Sequence, residues 1–267
     1  VGGALWAAGD QGTLQRRSNG TWQSQSPGGR DNLTAISSTS AEDVWIVGEG
    51  GTVLHFDGQK LSRQAAGILD PLRGVWASSP TEVWAVGDFG NILHYNGQSW
   101  SLVPSGTSED LLGVWGSSPT DIYVCGRNGT LLHSDGSGFR AMDATVPLTL
   151  TGIWGRSASE VWITGERGLV AVSDDRGRNW RYVSTGAKGS LWCGIALADG
   201  GLLVAGQRGA LWRSDDGGQN WRSLDSGGRS SITALASAGD QVIAVGLDGY
   251  HAISSDGGRR FAAQPRP

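Results

Sequence analysis

This 267-residue sequence predicts an all-β fold, a seven-bladed β-propeller with four-stranded antiparallel blades, on three observations. First, seven glycines each close a short apolar run: Gly9, Gly48, Gly87, Gly126, Gly165, Gly206 and Gly246. They are spaced at 39, 39, 39, 39, 41 and 40 residues. Second, each interval holds up to four short runs rich in Val, Ile and Trp, bounded by Gly, Ser, Pro and Asp, which favours strands over helices. Third, 44 glycines, 8 prolines, 13 tryptophans and only 17% charged residues describe a turn-rich folded protein rather than a disordered one. Four strands per repeat of about 40 residues match a propeller blade. The expected units are 1–32, 33–71, 72–110, 111–149, 150–190, 191–231 and 232–267, together one domain over 1–267.

The first strand of a unit reads LTAIS, LRGVW, LLGVW or LTGIW, with a small residue at a fixed place (Ala35, Gly74, Gly113, Gly152, Gly194, Ala234). A missing side chain permits close approach of neighbouring backbones. The second strand (DVWIVG, EVWAVG, DIYVCG, EVWITG) is apolar almost throughout, as expected when both faces are buried. The third is TVLHF, NILHY or TLLHS, and the fourth is expected to open at an aromatic such as Trp100 or Trp180. Asn19-Gly, Asn96-Gly, Asp57-Gly and Asp135-Gly predict two-residue type I′ hairpin turns in the early units. The first unit enters directly at its second strand, VGGALWAAG. It is therefore expected to lack an innermost strand, unless residues preceding Val1 or another chain supply one.

Several functional classes are disfavoured. A net charge of −4 gives no basic face for nucleic acid, and no apolar run approaches the roughly 18 residues of a membrane span. Cys125 and Cys193 lie inside apolar runs of different units and read as core. The sequons at Asn19, Asn32 and Asn128 read as chance, and the start at Val1, without Met or leader, reads as a processed or excised form. His55, His94 and His133 recur seven residues after an anchor glycine. That spacing puts them in separate blades, too far apart for one metal ion, so packing is expected and neither metal nor cofactor. His251 reads as a surface residue. No nucleophile elbow or phosphate loop occurs.

The later hairpins are longer and fit Ser-x-Asp-x-Gly-x-x-aromatic three times. These are Ser173, Asp175, Gly177 and Trp180; Ser214, Asp216, Gly218 and Trp221; Ser254, Asp256, Gly258 and Phe261. The pattern resembles the Asp-box of bacterial-neuraminidase-type repeats. The units of the form GVW…VWAVGDFGNILHYNG…W also resemble propellers related to photosystem II assembly factors and myxobacterial surface repeats. The resemblance implies a propeller whose Asp-boxes fold peripheral hairpins, so Asp175, Asp216 and Asp256 are expected to cap turns rather than to catalyse. It also brings in glycosidases. Sialidases of this kind rely on an arginine cluster and a tyrosine nucleophile, but an Arg-Ile-Pro-like segment is absent, and Tyr95, Tyr123, Tyr182 and Tyr250 mostly hold repeat positions. The even units leave little room for a two-carboxylate cleft.

Trp76, Trp115 and Trp154 end first strands and recur every 39 residues. They read either as blade packing or as an aromatic ring at a channel mouth able to stack on sugars. The residues that vary between copies are more informative. In a propeller the loops after strands two and four share a face. There the early units carry Asp10, Asp31, Glu49, Asp70, Asp88, Glu109 and Asp110 against Arg30. The later ones carry Arg127, Arg167, Lys188, Arg208 and Arg229 against Glu166. This predicts a charge-split binding face with Asp88, Phe89, Arg127, Arg167 and Arg208 as its site. The expected function is a non-enzymatic scaffold for a protein or peptide partner, soluble and exported or at a bacterial surface. A glycan-binding lectin is the alternative, and an Asp-box glycoside hydrolase a second.

Overall fold

The computed structural model of the chain describes residues 5–18, 20–144 and 146–264. The turn and sequon read at Asn19, the chain start at 1–4 and the end at 265–267 lie outside the described residues. The fold is a seven-bladed β-propeller of consecutive antiparallel sheets, whose strands divide between two compact units, Val1–Ala141 and Met142–Pro267.

The first unit holds four sheets. Sheet 1 has three strands among the described residues: Leu5–Ala8, Leu14–Ser18 and Thr21–Ser24. Sheet 2 is Leu33–Ser40, Asp43–Gly48, Val53–Phe56 and Leu61–Arg63. Sheet 3 is Leu72–Ser79, Glu82–Gly87, Ile92–Tyr95 and Trp100–Val103, and sheet 4 is Leu111–Ser118, Asp121–Gly126, Leu131–Ser134 and Phe139–Ala141. The second unit holds three. Sheet 5 is Leu150–Gly155, Val161–Gly165, Val170–Ser173 and Arg181–Tyr182. Sheet 6 is Leu191–Ala196, Leu202–Gly206, Leu211–Ser214 and Arg222–Ser223, and sheet 7 is Ile232–Ala238, Gln241–Gly246, His251–Ser254 and Ala262–Ala263.

Packing between successive sheets explains the repeated residues. The second strands are the most buried: Val44 to Val47 have no exposed surface, and Trp45 packs with Leu93 and Trp100 of sheet 3 in one core cluster. First strands of neighbouring sheets are tied by side chains. The Thr34 hydroxyl donates to the Leu72 carbonyl at 2.7 Å, and Thr151 repeats the bond to Leu191 at 2.6 Å. The small residue lies at this contact: a Cβ on Gly152 would come within 2.9 Å of the Trp192 carbonyl oxygen.

The anchor glycines have a different cause. Gly87 is extended (φ −163°), so no backbone strain demands glycine. Its missing Cβ would instead fall 2.1 Å from the Pro71 carbonyl oxygen, the same oxygen that accepts the Asp88 N–H at 3.0 Å. The strand pairing is irregular at this point, between Leu72 and Gly74.

Two expectations about the hairpins need correction. The Asn-Gly and Asp-Gly turns are not type I′, because only the glycines Gly58, Gly97 and Gly136 have positive φ. The Asx side chain takes over the turn instead: Asp57 Oδ1 accepts the N–H groups of Gln59 and Lys60 at 3.0 and 2.8 Å, and Asn96 Oδ1 does the same for Gln98 and Ser99. Nor does every fourth strand open at its aromatic. Trp100 does, but in sheets 5 to 7 the strand starts one residue after Trp180, Trp221 and Phe261.

Candidate functional site

After each anchor glycine the chain makes a short turn of one design. Its middle residue lies in the left-handed region: Gln11 (φ 55°), Gly50 (62°), Phe89 (59°), Asn128 (50°), Arg167 (58°), Arg208 (58°) and Asp248 (57°). All seven are exposed. Three of these turns are held by a side chain that opens the next sheet. The N–H of Gln11 donates to Asn32 Oδ1 at 2.8 Å, that of Phe89 to Asp110 Oδ1 at 3.1 Å, and that of Arg208 to Ser231 Oγ at 3.2 Å. The backbone is thus fixed while the side chain varies, with only the Arg of Arg167 and Arg208 used twice. Left-handed φ is ordinary for Gly and Asn and rare for a bulky residue such as Phe.

In the first unit, Asp110 brings two of the expected site residues together, since Arg127 Nε donates to its other oxygen at 2.9 Å. Asp88 is taken by a residue that the sequence reading missed. Arg73 Nη2 lies 2.7 Å from it in a forked pair, and Arg73 also approaches Glu49 at 3.9 Å. Asp31 is similarly bound by Arg63 at 3.1 Å, and Thr52 with Arg63 holds its carboxyl below the usual carboxylate range. Arg30 is therefore not the sole counter-charge among these loops. Aligning the repeats would have exposed Arg73, which stands where other first strands carry Thr34 or Thr151.

Phe89 is 66% exposed and borders an open groove of about 420 Å³ with Asn91, Leu102, Val103, Pro104 and Thr107. In the second unit Arg167 and Arg208 hold the same turn position, and Lys188 and Arg229 are exposed on following loops. Among the described residues no carboxylate pairs with any of these four.

The acids of the longer hairpins are fully used by their own turns. Ser173 Oγ accepts the Gly177 N–H at 2.7 Å and donates to Asp175 Oδ1 at 2.8 Å. Asp175 also accepts the Asn179 backbone and side-chain N–H groups at 2.9 and 2.7 Å. Asp216 and Asn220 repeat this geometry, and Asp256 accepts from Arg259 and Arg260, both at 3.0 Å. These donors hold the Asp175 and Asp216 carboxyls down at about 2. The motif glycine serves packing as well as turn geometry: a Cβ on Gly218 would strike the Trp162 ring at 2.2 Å.

The three histidines share a separate arrangement, each within its own sheet. His55 stacks on Trp45 at 3.9 Å and bonds Asp43 at 2.7 Å; His133 stacks on Tyr123 at 4.3 Å and bonds Asp121 at 2.8 Å. His94 stacks on Trp84 and bonds Glu82. Among the described residues no group of three His, Cys, Asp or Glu is placed to hold a metal ion. In sheet 6 the corresponding place is taken by Arg213, fully buried, which pairs with Asp199 at 2.8 Å and Asp215 at 2.6 Å. Burial pushes the Cys193 thiol up to about 12 and raises Cys125 further, so neither supplies a thiolate near neutral pH.

Of the tryptophans considered for sugar stacking, Trp154 is 6% exposed, stacked on Trp162 and pressed against Gly194. Trp76 is half-buried against Gly116 of the next sheet, and Trp115 lies half-buried beside Tyr123.

No family model matches the sequence. No curated protein matches it either. Solved structures do match in fold. YCF48 bound to D1 peptide superimposes with a TM-score of 0.70 at 20% identity, covering 88% of this chain and 81% of that one. YCF48 from Cyanidioschyzon merolae gives 0.73 at 16%, covering 96% and 90%. The WD40 β-propeller domain of Doa1 gives 0.77 at 12%, covering 97% and 91%. The backbone is thus that of a propeller, shared with proteins of only 12–20% sequence identity.

Proposed function

We propose that this chain is a non-enzymatic binding propeller of Asp-box type that recognises a protein or peptide. The observation that carries the reading is the left-handed turn residue: one fixed backbone, always exposed, with six residue types over the seven sheets, Arg alone occurring twice. Repetition of the scaffold serves packing, while variation at its most exposed place serves recognition. Phe89 and the arginines Arg167 and Arg208 are of the types that dominate binding hot spots. The peptide held by the YCF48 structure gives a precedent on the same backbone. Residence outside the cytoplasm belongs to the same proposal, on the sequence resemblance, and cell fractionation would test it.

The test is a random-peptide display selection against the whole chain, run beside a glycan array and a fluorogenic-glycoside assay. Enriched peptides are expected, with no glycan binding and no turnover. Binding on the glycan array alone would identify a lectin instead, and turnover a glycoside hydrolase.

A further inference from the structure

We propose that the groove between Phe89 and Leu102 in the first unit holds an extended peptide whose apolar side chains are flanked by lysine or arginine. This rests on the peptide-binding reading and specifies the class of peptide.

The apolar half of the argument is exposure. Leu69 (84%), Phe89 (66%) and Leu102 (60%) are the three most exposed large apolar side chains among the described residues. Phe89 and Leu102 border one groove, and its wall residue Asn91 bonds Asp70, the neighbour of Leu69, at 2.9 Å. Exposed apolar groups gathered in one place mark a contact surface. Phe89 is moreover a bulky side chain at φ 59°, where the next sheet uses Asn128. Nothing in the packing of the turn requires that ring, so a strained aromatic kept in solvent points to use outside the chain.

The charge half comes from the rim. Asp88 and Asp110 are matched by Arg73 and Arg127. Among the described residues, the carboxylates of Asp70 and Glu109 are met by neutral amides, Asn91 and Asn128, each at 2.9 Å, and by no cation. Arg73 serves both Asp88 and, at 3.9 Å, Glu49, so carboxylates outnumber cations along the rim, which favours a cationic partner. The shape suits a chain segment. Trp100–Val103 is the edge strand of sheet 3, with Ser101 and Leu102 exposed, and an extended peptide can lie along such an edge.

The experiment uses the whole chain and three labelled synthetic peptides, read by fluorescence anisotropy. One has a central leucine pair between lysine pairs, one has glutamate for lysine, and one has serine for leucine. The lysine–leucine peptide should bind at least about tenfold more tightly than either counterpart. Phe89→Asn and Leu102→Ser should each weaken it by about tenfold or more; Asn at this turn is the residue sheet 4 already uses, so the fold is kept. Unchanged binding by both variants, equal binding of the glutamate peptide, or no binding of the lysine–leucine peptide would overturn the proposal. If selected random peptides bind and still bind Phe89→Asn, only the groove assignment fails. If selection enriches nothing, the peptide reading fails with it.

Discussion

The backbone N–H of Phe89 donates to the carboxylate of Asp110 at 3.1 Å, so a residue at the end of one repeat fixes the turn that displays the aromatic of the same repeat. Asp110 simultaneously receives Arg127 from the following sheet. A single carboxylate therefore couples a strained turn, the entry of the next first strand and a neighbouring display position.

The strain in that turn can be measured. A non-glycine residue in the left-handed region costs about 1–2 kcal/mol, and Asn tolerates it best. Phe89→Asn should therefore raise stability by about 1 kcal/mol, since the exposed ring loses little burial. Asp110→Ala should lower it, because the Phe89 N–H and Arg127 lose their acceptor. Urea unfolding midpoints would check both, and a loss of stability in Phe89→Asn would refute the account of strain.

Two glycines separate steric from torsional need. Gly87 is extended but has the Pro71 carbonyl where a Cβ would go, whereas Gly106 has φ +77° and open space around it. Gly87→Ala should cost roughly 1–3 kcal/mol through forced backbone movement, and it should disturb the pairing beside Leu72. Gly106→Ala should cost about 1 kcal/mol from torsion alone. Thermal melts would compare them; equal effects would mean that close approach is not the reason for the anchor.

How much of this was legible in the sequence follows from the same residues. Gly87 repeats because sheets 2 to 7 all have the same carbonyl contact at this place, and periodicity reports a contact that recurs. The Ser173–Asp175–Gly177 hairpin was legible for that reason too. Arg63 and the exposure of Leu102 occur once each, so spacing carries no sign of them, and Arg73 shows only as a departure from Thr34 and Thr151 once the repeats are aligned. The left-handed place of Phe89 was hidden in another way. Its column contains Gln, Gly, Phe, Asn, Arg and Asp, and only Gly and Asn hint at positive φ. The turn prediction at Asn96 failed because Asn-Gly fits two geometries, and the amide oxygen chose the one in which it accepts from Gln98 and Ser99.

Arg213 offers a test of a buried charge. It stands where His55, His94 and His133 stand in other sheets, and Gly201 replaces their carboxylate partner, leaving room for the guanidinium. Arg213→Ala removes the cation from between Asp199 and Asp215 and opens a cavity. Loss of one partner of a buried pair costs about 3–5 kcal/mol; the lower end is expected here because Asp199 is partly exposed and can rehydrate. Arg213→Met, which refills the volume, should be milder. Equal stability of Arg213→Ala and wild type in denaturant titrations would remove the pair from any structural role.

Acid should act on the second unit through its hairpins. The Asp175 and Asp216 carboxyls sit at about 2, Asp175 chiefly through the Asn179 side chain and Asp216 chiefly through the Asn220 backbone N–H. Asp256 is lowered as well, first by Ser254. An unfolded chain titrates these groups near 3.9. Their folded values are depressed, so the stability they contribute is complete above about pH 4 and is lost as pH falls toward about 2, when the folded state must take up the protons it has resisted. Asp175→Asn with Asp216→Asn removes both titrations: the variant should melt lower than wild type at neutral pH, and the two melting curves should converge between about pH 4 and pH 2. Fluorescence of Trp180 and Trp221, which close the two hairpins, provides the signal. Parallel curves across that window would show that these carboxylates hold their turns without contributing to acid stability.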